Sequence, residues 1–267
     1  MSGVDRPPVA ISIAGTDSGG GAGVTADLKT FEAHGVWGTC AVVAVTAQNT
    51  IGVQAFETLR PTMVQAQIRS VATDIGIDAG KTGMLASAVL VAAVAETWAD
   101  VGKPLVVDPV FVSKHGDTLL ADDAVAALLE QLLPLATVVT PNLPEAAALT
   151  GIDIRDRDGM EEAASVLSAS GVTVVMVKGG HLIGNTSPDL LWTGGKATWL
   201  EAVRIEGRHT HGTGCTLSAA ITAELAKGMD PPDACRAAKH FVERAIAGGV
   251  ELGRGVGPVN PGWARDS

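Results

Sequence analysis

Cysteine is scarce in this chain: Cys40, Cys215 and Cys235 are the only three among 267 residues, and they lie far apart. That excludes a disulfide framework and a four-thiolate zinc site and fits a reducing compartment, so a cytoplasmic protein is expected. Long apolar runs are lacking too. The longest, Met84 to Ala95, stops at Glu96, well short of the roughly 20 residues a membrane-crossing helix needs. The N-terminal MSGVDRPPVA has no basic stretch leading into an apolar core, so neither export nor membrane insertion is expected. Positive charge is in short supply, with 19 Lys+Arg against 29 Asp+Glu and a net charge of −10. Without a Lys/Arg-rich block, such a chain repels phosphate backbones and anionic membranes. The five tryptophans are scattered and form no stacking platform for bases. Nucleic acid and membrane are not expected as partners, which leaves a small molecule.

What is present is a core-forming composition, 46% hydrophobic, in a length that one α/β domain can fill. Glycine is in excess, 32 residues or about 12% against a usual value of roughly 7%. Short β-branched runs alternate with longer Ala/Leu-rich segments, the pattern of βα units around a mostly parallel, two-sided sheet. Strands are expected at Val9–Ile13, Cys40–Thr46, Asp78–Thr82, Leu105–Val107, Thr137–Thr140 and Val172–Val177. Helices are expected at Gly23–His34, Pro61–Asp74, Ala86–Val101, Asp122–Leu132, Leu143–Thr150 and Asp158–Ser170, with two more near Gly214–Lys227 and Asp233–Gly249. Thr193-Gly194-Gly195-Lys196, flanked by Leu190–Trp192 and Thr198–Val203, reads as a β-hairpin. No repeat or linker divides the chain, so residues 1–267 read as one domain with a core near 9–258 and frayed ends.

Open parallel sheets place ligands beyond the carboxyl ends of their strands, so the loops after each strand are where chemistry is to be sought. The strongest signal is Thr210-His211-Gly212-Thr213-Gly214-Cys215-Thr216 ahead of a helical run. Its glycines let the chain turn so that the N–H groups of the new helix converge on one spot suited to an anion. Cys215 there is expected to have a lowered pKa and to serve as a base or nucleophile; the plainer alternative is a Gly-rich cap with an inert cysteine. The loop Gly15 to Gly23 has the look of a phosphate cradle but lacks the Walker lysine and the dinucleotide fingerprint. Asp27, one turn into the next helix, either faces a polar ligand or complements the helix dipole. Asp108, Asn142 and Glu145 offer oxygens suited to Mg²⁺, although Asn142 and Glu145 also have capping-box spacing. Lys178 either counters phosphate charge or sits at a solvent edge. The histidines have no metal-site spacing, though His211 is placed to shape the anion loop, and Cys40 and Cys235 read as structural.

The ordered motifs Ala14-Gly15-Thr16-Asp17 to Gly23, Ala26 to Phe31, Ala47-Gln48-Asn49-Thr50, Lys81-Thr82-Gly83-Met84-Leu85, Thr140 to Ala148, Val177 to Leu182 and Thr210 to Ala220 strongly resemble the hydroxymethylpyrimidine/phosphomethylpyrimidine kinases of thiamine biosynthesis, members of the ribokinase-like superfamily. The resemblance spans roughly Val9 to Pro258, and Gln48 and Cys215 set this branch apart from sugar kinases. It implies a three-layer α/β sandwich with a central, mostly parallel sheet, ATP and Mg²⁺ as cofactors, and a homodimer. It implies two phosphorylations, of 4-amino-5-hydroxymethyl-2-methylpyrimidine and then of its monophosphate. The pyrimidine would lie near Gly15, Asp27, Gln48, Met84 and Val110, and the transferring phosphate over Gly212, Thr213, Gly214 and Cys215. Mg²⁺ would lie near Asp108 and Glu145, with Asn142 and Lys178 on the nucleotide phosphates and the Cys215 thiolate taking the hydroxymethyl proton. The chain departs from the family at Phe111, where Met is commoner, and at His115, where Ser is commoner. Relatives with the same Gly-Thr-Gly-Cys loop phosphorylate pyridoxal or pyridoxine, which makes that the rival activity; a binding-only regulator is the rival from another class.

Overall fold

The computed structural model describes residues 6–111 and 122–266. The expected frayed residues before Arg6 and the departure at His115 lie outside the described residues. The described ends are tied down rather than frayed: Arg6 Nη2 donates to Asp78 Oδ1 at 2.8 Å, and the Trp263 ring lies 5.9 Å from that of Phe241.

The first strand, β1 (Val9–Ala14), is buried at every position, as a strand covered on both faces must be. Helix α1 (Gly23–Ala33) returns the chain to β2 (Trp37–Val42), which pairs parallel to β1. The chain then leaves the sheet to form a separate antiparallel pair, β3 (Ala44–Asn49) and β4 (Gly52–Thr58), with a register shift between Ala47 and Gln48. The single strand expected over Cys40–Thr46 is therefore two, divided at Val43, whose N–H bonds the Ala14 carbonyl.

Thereafter strands and helices alternate, apart from two successive helices before the last of these strands: α2 (Pro61–Asp74), β5 (Ala79–Thr82), α3 (Ala88–Val101), β6 (Leu105–Val107), α4 (Asp122–Ala127), β7 (Val138–Val139), α5 (Leu143–Thr150), α6 (Arg157–Ser168) and β8 (Val174–Val177). The helix expected to continue to Leu132 widens into a π turn over Leu128–Leu132 and ends in a 3₁₀ turn containing Pro134, since proline donates no N–H to extend an α-helix. The hairpin is β9 (Asp189–Thr193) and β10 (Lys196–Leu200), with Gly194 and Gly195 both at positive φ, as a tight two-residue hairpin turn demands. Helices α7 (Thr213–Ala226) and α8 (Pro231–Ala247) follow.

The main sheet runs β10-β9-β8-β7-β6-β5-β1-β2, with all strands in one direction except β9, which is antiparallel to both β8 and β10. Alternate strand residues feed two hydrophobic layers. Ile11, Ile13, Val107 and Val139 pack with Ile68, Val94 and Trp98, while Val106, Val138, Val174 and Met176 pack with Leu217, Ile221 and Val242. Burying each such side chain contributes roughly 1.5–3 kcal/mol. Helices thus cover both faces of the sheet, and the carboxyl ends of β1, β5, β6, β7 and β8 open toward the N-termini of α5 and α7.

Candidate active site

On the α7 side of the sheet the hydrophobic layer turns polar at its carboxyl edge. Ser12 on β1 and Lys81 on β5 are register partners, and Asp108 follows β6 on the same face, two residues beyond Val106. Lys81 and Asp27 are wholly buried as an ion pair at 2.8 Å, and Ser12 Oγ donates to the same Asp27 oxygen at 2.6 Å. Burial disfavours the Lys81 ammonium, but Asp27 outweighs it and holds Lys81 charged. This is a correction: Asp27 lies beneath the cavity, turned toward Lys81, and does not line it. A lysine inside a short strand, between Gly80 and Thr82, was the available signal for that pairing.

Beside this dry pair, Asp108 and Lys178 form a second one that borders the cavity. Lys178 Nζ donates to Asp108 Oδ1 at 3.0 Å and stands 3.7 Å from Glu145 Oε2. Thr140 Oγ1 and Ser218 Oγ donate to the two Asp108 oxygens. Burial disfavours the Lys178 ammonium, but Asp108 and Glu145 outweigh it and keep its pKa above the usual lysine range. Burial, helped by the Asp108 charge and opposed by Lys178, lifts the Glu145 carboxyl from 4.5 to about 7. Asn142 and Glu145 do form a capping box: Asn142 N–H donates to Glu145 Oε2 at 2.7 Å and Glu145 N–H to Asn142 Oδ1 at 2.9 Å. The structural and the charged roles coincide in one carboxylate.

Gly212 caps α7 at φ +81°, and a Cβ there would overlap the Gly21 carbonyl oxygen, so only glycine fits. The N–H groups of Gly214 and Cys215 belong to the first turn and have no carbonyl one turn back to bond. A Cβ on Gly214 would lie 3.4 Å from Lys178 Nζ, so this turn faces the charged cluster directly. The expectation of a lowered thiol pKa does not hold. Burial, reinforced by Asp27 and Asp108 and only partly offset by Lys81 and the Gly23 N–H, pushes the Cys215 thiol up to about 12.

The glycine loop after β1 is organised around an anion of its own. Asp17, 2% exposed, accepts the N–H groups of Gly19, Gly21 and Ala22 at 2.7 to 3.0 Å. His211 Nε2 lies 2.8 Å from the same carboxylate. Burial would raise the Asp17 pKa, but the hydrogen bonds from His211 and Gly19 prevail and hold it below the usual carboxylate range. The loop is therefore not a phosphate cradle, since its amides are spent on Asp17. This junction to the α7 loop went unread because the partners are 194 residues apart.

These parts border one cavity of about 870 Å³. Gly15, Gln48, Met84 and Val110 line one end, with half-buried Phe111 beside them. Asp108, Asn142, Glu145, Lys178 and the Gly212–Cys215 turn form its middle. Gly180, Ser187, Ala202, Arg204 and Ile205 wall the other end. Among the described residues, no cluster of three His, Cys, Asp or Glu side chains could chelate a bare metal ion.

An open α/β sheet with a helix start facing a Lys–carboxylate cluster across one cavity of about 870 Å³ is the arrangement of a small-molecule kinase of the ribokinase-like kind. The profile described as phosphomethylpyrimidine kinase matches residues 17–260, and the chain belongs to that family. The hydroxymethylpyrimidine/phosphomethylpyrimidine kinase of Streptomyces coelicolor is 53% identical over 258 residues, covering 97% of this chain and 96% of that protein. Among solved structures, an ADP complex of Bacillus subtilis pyridoxal kinase superposes with a TM-score of 0.91 at 40% identity, covering 98% of this chain and all of the other. A phosphomethylpyrimidine kinase from Clostridium difficile superposes at 0.79 with 39% identity, covering 89% and 99%.

Proposed function

We propose that this kinase transfers phosphate from ATP to the hydroxymethyl group of 4-amino-5-hydroxymethyl-2-methylpyrimidine, and then phosphorylates the monophosphate to the diphosphate, as a step of thiamine biosynthesis in the cytoplasm. The observation behind this reading is the convergence of the Gly214 and Cys215 N–H groups with Lys178, Asp108 and Glu145 at the middle of a two-ended cavity. Phosphoryl transfer needs positioning and charge neutralisation more than covalent chemistry, and that is what this cluster supplies.

Each residue then has a task. Gly15 lets the ring approach the backbone, Met84 and Val110 pack on it, and the Gln48 amide pairs with its aminopyrimidine edge. The nest over Gly212, Thr213, Gly214 and Cys215 holds the moving phosphoryl oxygens, with Lys178 and the Asn142 amide on the donor phosphates. A protonated Cys215 contributes chiefly its backbone N–H. Asp108 and Glu145 around one ammonium leave a single surplus negative charge, which fits a hydrated Mg²⁺ shared with phosphate oxygens rather than a chelated one. Mg²⁺ would supply charge neutralisation of the donor phosphates. A homodimer is part of the proposal.

The TM-score of 0.91 to a pyridoxal kinase favours a second reading, with pyridoxal as acceptor. An ADP-release assay with each acceptor separates them. We expect kcat/KM for the hydroxymethylpyrimidine to exceed that for pyridoxal, and the reverse ranking would give the site to the vitamin B6 vitamers.

A further inference from the structure

Arg204 lines the cavity but is not built to bind phosphate. Its guanidinium donates to four backbone carbonyls of one short stretch: Nε to Gly184 at 2.9 Å, Nη1 to Gly180 at 2.8 Å, and Nη2 to Leu182 at 2.6 Å and Thr186 at 3.1 Å. An arginine has five N–H donors in a planar fork, so nearly all are spent on this loop. The backbone reinforces the grip, with Arg204 N–H donating to the Asn185 carbonyl and Ser187 N–H to the Ala202 carbonyl, both at 2.9 Å. The stem of the loop is closed separately. Gly179 N–H donates to Asp189 Oδ1 at 2.8 Å, and Lys239 from α8 pairs with Asp189 Oδ2 at 2.8 Å while donating to the Ser187 carbonyl at 3.0 Å.

The loop's outer side is open to solvent, with Ile183 fully exposed, and among its residues Leu182 packs on the main hydrophobic layer. Its inner side, at Gly180, His181 and Ser187, walls the cavity end beyond the charged cluster. With phosphates at the cluster and the acceptor at the Gly15 end, that far end receives the base and ribose of the donor nucleotide. We propose that Arg204 is a positioning residue for the nucleotide, holding the 180–187 loop in its bound form before ligand arrives. This rests on the reading that ATP is the donor. Without the fork, the loop must be ordered at the moment of binding, and that entropy is taken out of nucleotide affinity. Lysine keeps the charge but has no planar fork, so it replaces few of the four bonds.

The test compares wild type with Arg204→Lys by calorimetric ADP binding, by separate KM values for ATP and for the pyrimidine, and by thermolysin cutting near Leu182 and Ile183. The expected result is an ADP Kd and an ATP KM both raised about tenfold, with kcat and the pyrimidine KM nearly unchanged. Cutting of the loop is faster in the variant, and ADP protects it. Unchanged ADP affinity, or equal increases in both KM values, overturns the proposal. Should the variant not fold, wild type decides alone: ADP must slow thermolysin at this loop, and no protection overturns the assignment. Wild type that fails to bind ADP at all removes the nucleotide reading itself, and this proposal with it.

Discussion

Cys215 and the buried Lys81–Asp27 pair each give a prediction at the scale of single side chains. Cys215 sits where a helix start ought to acidify a thiol, yet burial beside Asp27 and Asp108 drives it to about 12. Its alkylation by iodoacetamide, followed by mass spectrometry of the Cys215 peptide, should therefore keep rising with pH through 10, and a plateau between pH 7 and 9 would refute this. On the proposal that Cys215 acts mainly through its backbone N–H, Cys215→Ser is expected to slow both phosphorylations by a similar factor, whereas loss confined to the first step would restore the thiolate base. Lys81 and Asp27 make the second case. Removing one partner of a fully buried pair costs about 3–5 kcal/mol, while replacing both by apolar residues costs much less. Urea unfolding should accordingly find Lys81→Met far less stable than the Asp27→Leu/Lys81→Met double variant. Asp108, Lys178 and Cys215 were legible in the sequence because each directly follows a strand or opens a helix. Asp17 and Lys81 were not, because their meaning depends on His211 and Asp27, which only the folded chain brings beside them.

Among elements, the start of α7 matters most, and it is locked by contact with the loop after β1. Gly212→Ala would put a side chain at φ +81° against the Gly21 carbonyl. About 1–3 kcal/mol of backbone strain follows, and the displaced N–H groups should lower kcat by about 10²-fold or more. Denaturation and steady-state kinetics check both; a variant with wild-type kcat would mean that this turn does not hold the phosphoryl group. Elements with strong local signals were readable. The Gly194-Gly195 hairpin and the Asn142/Glu145 capping box are fixed by turn chemistry within four residues. The β3–β4 pair was not: β3 alternates in burial but not in residue type, with Val45 exposed and Thr46 buried, and β4 is largely exposed, Phe56 included. Nor does the sequence announce the break at Val43, whose N–H still bonds the Ala14 carbonyl while its own carbonyl accepts from Leu59 as the chain swings away to begin another strand.

For the whole molecule, alternation announced a parallel sheet, but the order β10-β9-β8-β7-β6-β5-β1-β2 depends on crossovers that no local pattern encodes. That order brings Asp108, Glu145 and Lys178 together, and their coupling makes a pH prediction. Because folding raises the Glu145 pKa from 4.5 to about 7, the fold favours the protonated form. That contribution is full below pH 4.5 and is lost as pH rises through about 7. On the proposal that Glu145 helps to hold Mg²⁺, binding needs its ionised form, so the Mg²⁺ concentration for half-maximal rate should be about tenfold higher at pH 6 than at pH 8. Glu145→Gln should flatten that dependence, and an unchanged profile in this variant would place the proton elsewhere. One cavity is expected to perform two successive phosphorylations. This is tested most directly by mass spectrometry of the products formed from ATP, Mg²⁺ and 4-amino-5-hydroxymethyl-2-methylpyrimidine. The expected products are the monophosphate followed by the diphosphate; an accumulating monophosphate that is never extended, alongside ready formation of pyridoxal phosphate, would overturn the two-step reading.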